Sequence, residues 1–168
     1  MEAAVLTEGA TDVDSLVMAR IGDAYRLARA ILLNDTEAED AVQEAALLAW
    51  RRFGSLRDPS SFDAWFDRIL VNQCRDQLRR RKRAVRIASP PVGFEPAAGT
   101  PPNVEWDADL ERSLAELDIE HRTVVVLRYW QDRTVDDIAS RLGIPAGTVK
   151  SRLHNAMRSL RASLGEDR

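Results

Sequence analysis

Apolar residues recur at helical spacing along most of the chain. Val17, Ile21, Ala24, Tyr25, Ala28, Ile31 and Leu32 form the first stripe. It predicts a helix from about Asp12 or Asp14 to Leu33, behind a frayed tail over residues 1–11. Asn34-Asp35 breaks that helix, and Asp35 or Thr36 can cap the next one. The second helix runs to about Phe53, with Ala38, Ala41, Val42, Ala45 and Ala49 on its inner face. Such small residues let helices approach closely. Residues 54–61, GSLRDPSS, read as a loop. Ser60 or Ser61 caps a long third helix from Phe62 to about Arg83. Phe62, Trp65, Phe66, Ile69, Leu70 and Gln73 follow one of its faces.

The pattern then stops. Residues 84–103, AVRIASPPVGFEPAAGTPPN, contain Pro90, Pro91, Pro96, Pro101 and Pro102, a density that no helix survives. They read as a semi-extended linker and a domain boundary. Helical spacing returns with Trp106, Leu110, Leu114 and Leu117, on a helix starting at Asn103 or Val104. Asp118 and Ile119 open another, ending near Trp130. Its TVVVLRYW stretch has high β propensity, but its length and its helical neighbours favour helix.

The last stripes are the most informative. Val135, Ile138, Ala139 and Leu142 make a short amphipathic helix, with Thr134 as its cap and Asp137 at the third helical position. Gly143 follows, where the chain must often take φ > 0. Pro145 restarts the chain in a first-turn position. The next helix carries Val149, Leu153, Ala156, Met157, Leu160 and Leu164 on one face, and Lys150, Ser151, His154, Asn155 and Arg158 on the other. Two helices joined by a Gly turn, the second basic outside, read as a helix-turn-helix. Gly147, Thr148, Lys150 and Ser151 at its N-terminus suit a phosphate. The expected fold class is all-α: two small helical domains, a three-helix bundle and a four-helix unit with the helix-turn-helix, joined by the Pro-rich linker. The boundaries are 1–83, 84–103 and 104–168.

Charge sharpens this picture. The net charge of −3 over 168 residues hides blocks of −7 (1–50), +6 (51–83), −6 (84–121) and +4 (122–168). Two basic blocks suggest two surfaces facing nucleic acid. The third helix ends in RRRKR, more than its dipole requires, and Arg68, Asn72, Arg75, Arg79 and Arg83 share a face. On the second helix, Asp40, Gln43, Glu44 and Leu47 form a separate stripe. It reads either as a solvated face with one stray leucine or as a docking surface for a protein. Cys74 is the single cysteine, so no disulfide forms within the chain, and a reducing cytoplasm is the expected compartment. No stretch is long enough to insert in a membrane, and the acidic N-terminus is not a signal peptide. His121 and His154 stand far apart, with no catalytic or metal-ligand spacing around them. The chain is expected to be no enzyme, with no metal site and no cofactor.

With these residues laid out, the chain resembles a bacterial RNA polymerase sigma factor of the sigma-70 family, in the extracytoplasmic-function (ECF) group. TEAEDAVQEAALLAW (36–50) is similar to that family's core-binding segment, and FDAWFDRILVNQCRDQLRRRKR (62–83) to its -10 melting segment. RTVDDIASRLGIPAGTVKSRLHNAMRSLR (133–161) is similar to its promoter-reading helix-turn-helix. The resemblance covers about residues 12–164, in order. It implies a region 2-like domain over 1–83 and a region 4-like domain over 104–168. Asp40, Gln43, Glu44 and Leu47 would then face the clamp helices of the polymerase β′ subunit. Residues 54–61 would hold a flipped base of the -10 element, near Asn72, with Arg75, Arg79, Arg80 and Arg81 gripping the strand. Thr148, Lys150, Ser151, Arg152, His154 and Asn155 would lie in or beside the -35 major groove. The resemblance also implies the β flap, promoter DNA and an anti-sigma factor as partners. Relatives often carry Arg where Asn155 stands; Arg pairs well with guanine, whereas Asn pairs best with adenine. The usual Gly-hydrophobic-Ser entry to the motif is Asp132-Arg133-Thr134 here. The competing reading is a conventional helix-turn-helix regulator working without polymerase. It accounts for residues 122–164 and leaves residues 36–50 and the RRRKR helix unused.

Overall fold

The computed structural model describes residues 2–87 and 108–165, with side chains described over 13–85 and 108–165. Most of the expected linker, with Phe94, and the expected helix start at 103–104, with Trp106, lie outside the described residues. The described elements are all helical. Helix α1 (Glu2–Leu32) and α2 (Asp35–Arg52) are followed by two short 3-10 turns, Phe53–Ser55 and Pro59–Ser61. Then come α3 (Phe62–Ile87), α4 (Ala108–Glu116), α5 (Ile119–Val125), α6 (Val135–Leu142) and α7 (Ala146–Leu164).

Helix α1 starts at Glu2, so the tail expected to fray over residues 1–11 is helical instead. Its Ala- and Glu-rich sequence, without proline, propagates a helix already nucleated by the packed part. At the other end Leu33 takes a left-handed φ of 55°. Asn34, rather than Asp35 or Thr36, is the cap of α2: its side chain accepts from the Glu37 N–H at 2.9 Å. Asp35 and Glu37 instead occupy the first turn, where the helix dipole favours acids. The 54–61 loop contains both 3-10 turns. Asp58, rather than Ser60 or Ser61, organises it, accepting from the Ser60 N–H and from both serine hydroxyls. These bonds hold the Asp58 carboxyl below the ordinary aspartate range. Helix α3 continues four residues past Arg83, because Ala84 to Ile87 contain no breaker.

The three long helices enclose a core built from the expected faces. Leu27, Ile31, Leu32, Ala41, Ala45, Phe66 and Leu70 are fully buried, each large side chain contributing about 1.5–3 kcal/mol. Phe62 and Phe66 stack with centroids 5.6 Å apart. The aromatics of α3 are thus mainly core, with Trp65 partly buried beside them.

In the C-terminal half, the TVVVLRYW stretch is helical, and its last turn, Val126–Trp130, is a π-helix. Thr134 caps α6 through the Asp137 N–H at 3.1 Å. Gly143 takes φ 65°, as the turn requires. Pro145 is the N-cap of α7, one position earlier than a first-turn proline. Leu164 lies exposed at the end of α7, beyond the reach of the core it was expected to join.

The two halves share apolar packing. Val124, Val126, Leu127, Ile138, Leu142 and Val149 belong to the same buried cluster as the core of α1–α3. A smaller cluster of Leu114, Leu117, Val125, Ala156 and Leu160 ties α4, α5 and α7 together. Helix α6 lies along α3, which puts the helix-turn-helix against the N-terminal bundle.

Candidate protein-docking and nucleic-acid interfaces

Helix α2 buries its alanine face and so turns the opposite face outward. Asp40, Gln43, Glu44 and Leu47 are all exposed, and Trp50 extends the stripe by one more turn. Leu47 is 51% exposed and Trp50 56%, large apolar groups in water on the same stripe as two carboxylates. Trp50, three residues after Leu47, is a residue that the stripe's spacing points to and the sequence reading omits.

The basic face of α3 is less uniform. Asn72, Arg79 and Arg80 are exposed, and Arg79 pairs with Asp76 one turn away at 3.3 Å. Arg81 reaches Glu37 of α2 at 3.2 Å and is only partly exposed. Burial raises the Glu37 carboxyl above its ordinary range against the pull of Arg81. Arg75 turns toward the C-terminal half. Its Nε lies 2.7 Å from Glu120 and its Nη1 donates to Asn72 Oδ1 at 3.0 Å.

On α7, Val149 and Ala156 point inward, with Leu153 and Met157 partly buried. Lys150, Ser151, His154 and Asn155 therefore face out, and all four are exposed. Thr148 is partly buried, and its carbonyl accepts the Ser151 hydroxyl at 3.0 Å. Arg152 leaves this face. Its Nη1 lies 2.6 Å from the same Glu120 that holds Arg75. The fold thus brings together one arginine expected at the -10 element and one expected at the -35 element.

The seam between the halves holds further charges that the helical patterns did not flag as functional. Asp67 of α3 is 1% exposed, accepts from Arg20 at 3.0 Å and pairs with Arg141 of α6. Burial pushes its carboxyl up, opposed by the two guanidinium groups. Arg141 also donates to Asp137 at 2.9 Å. Arg68 donates to the carbonyls of Ser140 and Arg141, satisfying the end of α6. Arg29 joins Asp35 at 2.6 Å and Glu111 of α4 at 3.1 Å. Arg122 is buried and donates to the carbonyls of Ile31, Leu114, Ala115 and Leu117. Burial lowers its pKa to about 10. A signal for Asp67 existed: it sits among Phe66, Leu70 and Val71, where a charge needs a partner.

The comparisons with known proteins fall on these same stretches. The Sigma-70 region 2 family matches residues 16–84, and the Sigma-70 region 4 family matches residues 113–162. The ECF RNA polymerase sigma factor SigM of Mycobacterium tuberculosis is 38% identical over 141 residues, covering 84% of this chain and 71% of that one. The chain belongs to the sigma-70 family, in its ECF group. This sigma factor is also 32% identical to sigma factor SigV of Bacillus subtilis, over 86% of each chain. Among solved structures, it superimposes on the sigma factor RpoE of Bartonella quintana, crystallised with the anti-sigma factor NepR. The TM-score is 0.70 at 26% identity, over 94% of this chain and 99% of that one. The fold of CnrH, solved with the cytosolic domain of CnrY, matches with a TM-score of 0.66 at 24% identity. No described helix of this sigma factor is long and apolar enough to cross a membrane.

Proposed function

We propose that this sigma factor docks on core RNA polymerase through Asp40, Gln43, Glu44 and Leu47, and brings the enzyme to promoters that its two basic faces select. The carrying observation is the open stripe on α2, where two acids precede an exposed leucine and an exposed tryptophan. The part over residues 1–83 works as the polymerase-binding and -10 unit, 84–103 as a connector, and 104–168 as the -35 unit. Asn72, Arg75, Arg79, Arg80 and Arg81 hold the -10 strand, with residues 54–61 enclosing a base taken out of the stack. Unstacking costs a few kcal/mol, and cationic contacts offset it. At the -35 element Asn155 reads a base, and Thr148, Lys150, Ser151, Arg152 and His154 contact backbone or base edges. The protein acts in the cytoplasm and has no catalytic step of its own, since the polymerase makes the RNA. An anti-sigma factor, such as those crystallised with two of its structural neighbours, is the expected antagonist.

The test is run-off transcription from genomic fragments with core polymerase, with and without the protein. Discrete transcripts that depend on both components support the reading. If the protein instead shifts duplex tightly by itself and adds no transcripts to core polymerase, the conventional regulator is right.

A further inference from the structure

We propose that Arg158 and Arg161 of α7, with Tyr129 beside them, form a second DNA contact: a cationic groove that takes the sugar-phosphate backbone of the duplex flanking the -35 element. This contact rests on the proposed entry of α7 into the -35 major groove, and it gives a role to two arginines that the entry alone leaves unused.

Helical geometry puts Arg158 on the DNA-facing side. It follows Ser151 by seven residues, His154 by four and Asn155 by three, so it shares their face one to two turns further along. Arg161 follows His154 by seven and Arg158 by three. Both arginines are exposed, and among the described residues neither has an ion pair or a side-chain hydrogen bond. Arg152 on the same helix is instead held by Glu120. The helix dipole favours a base in the last turn, where Arg161 stands, but it does not account for Arg158 a turn earlier.

The two arginines border a groove of about 310 Å³ between α7 and the π-helical turn Val126–Trp130. Tyr129, 61% exposed, lines it from that turn, and Leu153, His154 and Met157 line it from α7. None of these lining residues is acidic, whereas the cleft around Arg75 and Arg152 holds both Asp76 and Glu120. The chemistry suits one strand of DNA backbone. Guanidinium forks bind phosphate oxygens, the tyrosine hydroxyl can donate to another, and the apolar side chains meet the deoxyribose faces.

Distance decides between base and phosphate. At 1.5 Å per residue, Ser151 to Asn155 span about 6 Å of helix axis, while Arg158 and Arg161 lie about 10 and 15 Å beyond Ser151. The major groove is about 12 Å wide, and a recognition helix meets base edges with its N-terminal residues. Side chains this far along the helix reach the groove's edge, where the strand backbone runs. The contact therefore adds affinity and fixes register without reading sequence.

The test uses holoenzyme assembled from core polymerase and the full chain, on labelled genomic fragments that the wild-type holoenzyme transcribes. Binding is measured at 50 and 200 mM salt for wild type, for Arg158→Ala with Arg161→Ala, and for Arg158→Lys with Arg161→Lys. The fourfold rise in salt should cost the alanine variant about tenfold less affinity than it costs wild type, because two contacts that release counterions are missing. The lysine variant should follow wild type, since a phosphate accepts either cation. Hydroxyl-radical footprints of the alanine variant should lose backbone protection at one edge of the -35 element. Wild-type salt dependence and footprint in the alanine variant overturn the proposal. An unchanged footprint with weaker retention of core polymerase in a pull-down also overturns it, and assigns the groove to a polymerase segment. Lys150→Ala separates this failure from that of the -35 reading. If it weakens binding and the alanine variant does not, α7 docks on DNA and only the groove is misassigned. If neither weakens binding, the -35 face itself is wrong and the groove contact falls with it.

Discussion

The outward stripe of α2 and the arginines of α3 and α7 look alike in sequence, as charged positions opposite an apolar face. The fold treats them differently. Asp40, Glu44, Leu47 and Trp50 stay in water. Arg75 and Arg152 are turned into the seam and share Glu120, and Arg81 is drawn to Glu37. The proposed protein-docking surface is open to solvent, whereas the proposed DNA-facing one is partly occupied by the chain's own acids.

The largest expected effect breaks the open side of that comparison. Asp40→Arg with Glu44→Arg should lower affinity for core polymerase by at least about tenfold in a pull-down or titration, with helicity and melting temperature unchanged. Equal affinity would place the docking surface elsewhere. Next comes the closed side. Arg122→Lys keeps the charge but loses the fork that serves four carbonyls, and should cost about 2 kcal/mol in urea denaturation. An unchanged midpoint would mean that water serves those carbonyls as well.

A third variant sharpens the comparison within α7 itself, between its exposed positions and its seam-facing arginine. Asn155→Arg should shift the preferred -35 sequence toward guanine, by about 1–3 kcal/mol of discrimination, in run-off transcription on a randomised library. Lys150→Ala should weaken all promoters about equally. If Asn155→Arg changes only the overall yield, Asn155 reads no base. The smallest effect is a null rate. Burial pushes the Cys74 thiol up to about 12, so at pH 8 it is both protonated and covered. A thiol reagent should not modify the native chain at that pH and should label one site per chain in denaturant. Fast labelling of the native chain would show that the α1–α3 core opens readily.

The helix stripes made most of this fold legible before any coordinates. Val149, Ala156 and Leu160 at one spacing required Lys150, Ser151, His154 and Asn155 to point away, and they do. Helix ends were read less well, because neighbouring polar residues compete for one cap. Asn34 won over Asp35 and Thr36, and Asp58 over the two serines after it. The pairings across the seam were not legible, although the apolar neighbours of Asp67 marked it as a charge in need of a partner. Asp67 and Arg141 lie 74 residues apart, on helices that carry several other charges. Periodicity reports which face of a helix is apolar, but not which distant helix will cover it. The same limit applied to Arg75 and Arg152. Their stripes placed them on basic faces, and only the packing of α5 between those faces brought Glu120 to both.

Arg122 has a consequence beyond stability. In small domains a bound metal ion often gathers separate segments into one fold. Here a guanidinium on the chain itself does that gathering, collecting three carbonyls from the end of α4 and one from the last turn of α1. This tethered ion needs no supply from outside, no chelator removes it, and its charge persists across the physiological pH range. The junction where the C-terminal half joins α1 is therefore indifferent to metal availability and to the redox state of the cell.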